Sequence, residues 1–136
     1  MSVYPTRQEI MNLPAPTYPE TVHELMDEFK ESWKKESDEG LRFSFLAYLV
    51  FRLSALYNIQ SPEVKWMPEL SSGLYNSIEN KIYLNKVSII TCLHEFGHVL
   101  FGQEELTTCR WSVHLFKQHF ARSFKKLKWQ GHLLTK

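Results

Sequence analysis

The chain has 136 residues, of which 43% are hydrophobic, 14% aromatic and 23% charged, with a formal net charge of +1. That length holds one domain with one core and excludes a second catalytic domain, while the apolar share excludes global disorder. No run of about eighteen apolar residues occurs, and the N-terminus MSVYPTRQEIMNLPAPTYPE lacks the charged-then-apolar pattern of a signal peptide, so a soluble, cytoplasmic protein with no membrane partner is expected.

Residues 1–19 contain Pro5, Pro14, Pro16 and Pro19 without periodicity and read as an irregular arm that carries no chemistry. A single domain is expected over 20–136. Thr21 and Glu24 form a capping-box signature, and Val22, Leu25, Met26, Phe29 and Trp33 recur at helical spacing, which predicts an amphipathic helix to about Lys35. His23 in HELMD resembles half a metal motif, but its second ligand position holds Asp27, so a surface helix is expected. After the SDEG break, LRFSFLAYLVFRLSALYN is apolar on nearly every face and predicts a central buried helix. EVKWM, GLYN and NKIYLN, separated by turn residues, predict a small antiparallel sheet of two or three strands. Helices are expected over Lys86–Phe101 and Glu104–Phe120, broken at Gly102, with a last turn or two over Ser123–Trp129. The fold class is therefore α+β, a mostly helical single domain with a small sheet.

Cys92 and Cys109 are the only cysteines, lie in helical patterns and lack CxxC spacing, so they read as buried thiols and not as a disulfide or a cysteine-rich zinc finger. Charge is unevenly placed, because residues 110–136 carry seven Lys/Arg and no acid. A basic C-terminal segment, RSFKKLKWQGHLLTK with Phe124 and Trp129 interleaved, can meet nucleic acid, or else it caps the core and neutralises the acidic body.

The stretch with chemistry is CLHEFGHVLFGQEEL. On a helix, residues four apart share a face, so His94 and His98 offer two imidazoles to one point, the spacing of a zinc pair. Glu95 is turned by about 100° from His94, which sets its carboxylate beside a metal, where it can deprotonate a bound water. Thr91, Cys92, Leu93, Phe96, Gly97, Val99 and Leu100 are uncharged, as a buried helix with only three ionisable groups requires.

HEFGH and its surroundings resemble the HExxH zincin peptidases, most closely the compact gluzincins of the ImmA/IrrE kind. GLYNSIENKIYLN, TCLHEFGHVL and EELTTCRWSVHLF follow that family's order over residues 73 to about 116. The resemblance implies a zincin-like fold, Zn2+, a protein or peptide substrate, zinc metalloendopeptidase activity, a substrate strand paired on NKIYLN, and a glutamate ligand on the helix after HEFGH. No acid follows four residues after Glu105, where Cys109 stands in place of the family's usual outer carboxylate. The chain has no carboxylate beyond Glu105, so an acidic ligand there is Glu104 or Glu105; His114, His119 and His132 compete. With a helical hairpin bent at Gly102, and at 100° per residue, Glu105 lies about 60° from the centre of the stripe Leu106, Cys109, Val113, Phe116 and Phe120, His114 about 120°, and Glu104 on the opposite side. The expected set is thus His94, His98 and Glu105 on zinc, with Glu95 as base. An SprT-like DNA-associated protease would use His114 instead, and a non-catalytic zinc-stabilised binding module would not need Glu95. For the oxyanion, Tyr75, Tyr83, His114 and His132 remain open.

Overall fold

A computed structural model describes residues 4–135 of the chain. The N-terminal arm is not irregular throughout. Thr6 and Glu9 make a reciprocal capping box, Thr6 Oγ1 accepting from Glu9 N at 3.2 Å and Glu9 Oε1 from Thr6 N at 2.9 Å, which starts α1 (Arg7–Met11). Ile10 is fully buried. The box expected at Thr21 and Glu24 is absent, because α2 (Glu20–Lys35) begins two residues earlier than that cap requires, behind Pro19, with no side-chain cap.

Asp38 caps α3 (Glu39–Leu56) by accepting from Leu41 N at 2.9 Å. Leu46, Leu49, Val50 and Leu53 form its core face, but Tyr48 and Phe51 are exposed, so α3 is buried on one side and not all round. Three strands follow: β1 (Glu63–Trp66), β2 (Leu74–Asn76) and β3 (Lys81–Leu84). Their order is β1-β3-β2, with β2 antiparallel and β1 parallel to β3. The sheet is therefore mixed and not antiparallel. A parallel pair needs a long crossover, and the loop after β1 together with β2 supplies it. β3 is the central strand, its Ile82 and Leu84 fully buried, so NKIYLN offers no edge; β1 and β2 are the two edge strands, and β2 is the one beside α4 and Glu95.

Ser88 caps α4 (Ile89–Phe101), and the helix stops at Gly102, whose φ of +63° suits a residue without a Cβ. α5 (Glu105–His119) then runs back against α4. Gly97 sets how close they come, since a Cβ there would lie 2.8 Å from Thr108 Cγ2. On α5, Cys109, Val113 and Phe116 are buried as the stripe predicts, but Leu106 is 36% exposed and Trp111 and Leu115 are buried instead. The expected last turn is α6 (Ala121–Lys126), after which the chain forms an unforeseen hairpin, β4 (Lys128–Gln130) and β5 (Leu133–Thr135), turned through Gly131 at φ +61° and His132. Among the described residues no helix is long and apolar enough to cross a membrane.

Candidate metal centre

The bend at Gly102 brings the first turn of α5 under the second half of α4. His94 Nε2 lies 3.0 Å from Glu105 Oε1 and His98 Nε2 lies 3.2 Å from Glu105 Oε2. The turn of the β4–β5 hairpin adds His132, whose Nε2 is 3.3 Å from Glu105 Oε1. All four side chains are largely buried. They border a cavity of about 420 Å³ walled by Gly73, Leu74, Glu95 and Leu133. Glu104 is exposed at the N-cap of α5.

The hydrogen positions at His98 decide what the cluster needs. His98 Nδ1 lies 2.7 Å from Gly102 O. A carbonyl oxygen only accepts, so Nδ1 carries the proton. In the neutral ring Nε2 is then a bare lone pair, and it faces a carboxylate oxygen. Two acceptors opposed at 3.2 Å repel unless a cation stands between them, either a second proton on the ring or a metal ion. The pKa shifts have that cause: burial depresses His98, but the Glu105 carboxylate and Gly102 O outweigh it and hold His98 above its ordinary value. Burial raises Glu105, yet His94 and His98 hold its carboxyl well below the usual range.

Behind the cluster lies Cys109. Its Sγ is 3.9 Å from His94 Nδ1, 3.8 Å from Glu105 Oε1 and 3.8 Å from His132 O. Burial, then Glu105, push its thiol far up, so it stays protonated in the absence of a metal. The donor atoms of His94, Glu105 and Cys109 lie within 4.8 Å of one another, a group that could hold a metal ion. The sulfur and Glu105 face opposite nitrogens of His94: Nδ1 meets Cys109 Sγ, and Nε2 meets Glu105 Oε1, while the other oxygen of Glu105 meets His98 Nε2.

Glu95 is buried beside the cluster, and burial raises its carboxyl, partly offset by His94, His98 and the Tyr75 backbone N–H. Gly73 leaves it room: a Cβ there would stand 3.0 Å from Glu95 Oε2.

The remaining candidates lie elsewhere. His114 Nε2 meets Ile10 O at 3.0 Å, far from the cluster, which removes the ligand set that used it. His119 meets His23 and Asp27 between α2 and α5. Tyr75 OH donates to Asn80 at 2.8 Å and Tyr83 OH to Glu79 at 3.0 Å, so of the four oxyanion candidates His132 is the one whose ring meets Glu105, while Tyr75 lines a neighbouring cavity with His98 and Glu105. Phe124, Leu127 and Trp129 pack against the core, while Lys125, Lys126 and Lys128 are exposed. The arm, expected to carry no chemistry, reaches the site: Tyr4 stacks on His132 with ring centroids 4.2 Å apart. Arg110 holds the arm by donating to the carbonyls of Glu9, Ile10, Asn12 and Pro14 at 2.7–3.0 Å. Nothing in the spacing of the sequence marks Tyr4, since the contact joins the two ends of the chain.

No protein-family model matches the chain, and no curated protein or solved structure matches it. The chemistry of the site therefore rests on its geometry.

Proposed function

We propose that the protein is a zinc-dependent peptidase of the compact zincin type, with His94, His98 and Glu105 as ligands of Zn2+ and Glu95 as general base. The observation that carries this reading is the pair of opposed acceptors, His98 Nε2 and Glu105 Oε2, at 3.2 Å. Donor atoms each 2.0–2.1 Å from a tetrahedral zinc stand about 3.3 Å from one another. The His94–Glu105 and His98–Glu105 separations of 3.0 and 3.2 Å, each to a different oxygen of the carboxylate, are near that spacing. Two imidazoles and one carboxylate leave a fourth position free, the mark of a catalytic and not a structural zinc.

When bound, zinc polarises the scissile carbonyl and lowers the pKa of a water at the free position. Glu95 holds the attacking water and takes its proton, then delivers it to the departing amine. Burial, by raising the Glu95 carboxyl, makes it a better proton acceptor than an exposed glutamate. His132, on the hairpin turn with its Nε2 3.3 Å from Glu105 Oε1, is the ring beside the proposed ligands that would donate to the oxygen that becomes negative. The free edge of β2, beside Glu95, accepts an extended peptide as an added strand.

The test is hydrolysis of an unstructured peptide by the zinc-loaded protein and by Glu95→Gln. The variant is expected to retain one zinc per chain and to lose about 10²–10⁴-fold in rate. Wild-type turnover in the variant overturns the role of Glu95. A chain that binds zinc but cleaves no peptide is instead a zinc-stabilised binding module.

A further inference from the structure

For His94 and His98 to present lone pairs to one metal ion, each must keep its proton on Nδ1, and each Nδ1–H needs an acceptor. His98 has one in Gly102 O at 2.7 Å. For His94 the corresponding group is a sulfur: Cys109 Sγ, 3.9 Å from Nδ1. The same sulfur lies 3.8 Å from Glu105 Oε1. One side chain on α5 therefore touches two of the three proposed ligands from the side away from the cavity. Cys109 is itself fully buried, so neither contact is shared with solvent.

We propose that Cys109 is the positioning residue of the metal centre: its sulfur accepts from His94 Nδ1–H, which fixes Nε2 as the donor nitrogen, and its S–H turns toward Glu105 Oε1. A thiol has one hydrogen and sulfur lone pairs, so it serves both neighbours at once. A carboxylate at this position would instead add a second negative charge beside Glu105 in a buried setting. The sulfur is not a ligand, because it lies on the Nδ1 side of the imidazole whose Nε2 faces Glu105.

This inference rests on the zinc reading above, and its test separates the two. Cys109→Val removes the acceptor while keeping the bulk, and Cys109→Asn restores a carbonyl acceptor. Zinc affinity is expected to fall about 10–100-fold in Cys109→Val, the usual effect of losing an outer partner, and to be largely recovered in Cys109→Asn. In the wild-type protein loaded with Co2+, the absorption spectrum is expected to lack a thiolate-to-cobalt charge-transfer band. Such a band would make Cys109 a ligand and overturn the proposal. So would wild-type zinc affinity in Cys109→Val, or equal weakness in both variants, which would mark Cys109 as packing alone. Failure of the wild type to take up zinc or cobalt would instead sink the metal reading itself, and this inference with it.

Discussion

Two clusters of the same ingredients sit at opposite ends of α5, and they are built differently. At its start, His94 and His98 from one face of α4 converge on Glu105. At its end, His23 and Asp27, also four apart on one helix, meet His119. The second cluster is a chain in series: His119 Nδ1 lies 3.2 Å from Asp27 Oδ1, and His119 Nε2 lies 2.8 Å from His23 Nδ1. Neutral rings satisfy it completely. His119 donates from Nδ1 to the carboxylate and accepts at Nε2 from His23 Nδ1–H, so no two acceptors oppose each other. The first cluster has no such solution, because Gly102 O takes the Nδ1 proton of His98 and leaves its Nε2 bare against Glu105. Ligand-type residues four apart are thus only half of a metal signal. The other half is whether the group can be satisfied with its rings neutral, or needs a further cation, a second ring proton or a metal ion.

The largest expected effect breaks the comparison directly. His94→Ala or His98→Ala is expected to abolish metal retention, while His23→Ala or His119→Ala leaves about one zinc per chain, measured by elemental analysis after dialysis. Loss of metal from the His119 variant at intact fold would mean that the serial cluster is the true site. Next comes the acid. Glu105→Ala is expected to weaken zinc by more than the ~10–100-fold typical of outer partners, and Glu104→Ala, exposed at the N-cap, to leave affinity unchanged. Equal losses in the two would refute the convergence on Glu105.

How much of this could be read from the sequence follows from the same distinction. HEFGH specifies His94, Glu95 and His98 through local periodicity, which a helix preserves. Glu105 followed from helical phase once a bend at Gly102 was assumed, although the stripe used for that phase was imperfect: Leu106 is exposed and Trp111 is buried. The parallel pairing of β1 with β3, and hence the free edge on β2, was invisible, because strand order depends on a crossover and not on any strand's own pattern. The hairpin that carries His132 leaves almost no sequence signal, because KWQ and LLT are three-residue strands, too short for a period, although Gly131 before His132 is a two-residue turn signal. The arm's order is masked by its prolines, which obscure the Thr6–Glu9 capping box, and by the distance in sequence to Arg110, which holds it from about a hundred residues away.

His132 sharpens the first cluster further. His132→Gln is expected to lower kcat by about 10²–10³-fold at unchanged zinc content, the usual effect of removing one oxyanion donor. Zinc loss in that variant would make His132 a fourth ligand and close the site to water. A smaller effect is packing: Gly97→Ala forces a Cβ to 2.8 Å from Thr108 Cγ2. Such overpacking typically costs about 1–3 kcal/mol, to be read from urea unfolding of the metal-free protein.

The smallest expected effect concerns pH and separates the clusters by sign. Burial lowers the pKa of His119, with Asp27 partly opposing, and burial likewise lowers that of His114. A histidine depressed in the folded state binds its proton more readily when unfolded. Between its folded pKa and the ordinary value of about 6.5, the unfolded chain therefore holds more protons, and stability falls as pH drops. His98 works the other way without metal. Its folded pKa is raised, so its contribution is complete below about 6.5 and is lost as pH rises through the folded value. In the metal-free protein, His119→Gln is accordingly expected to flatten the acid side of the stability profile below about pH 6.5, whereas His98→Gln flattens the side above it. Urea unfolding across that range reads both slopes. If His119→Gln leaves the acid slope unchanged, the serial chain between α2 and α5 is not the neutral, self-satisfied cluster that its distances describe.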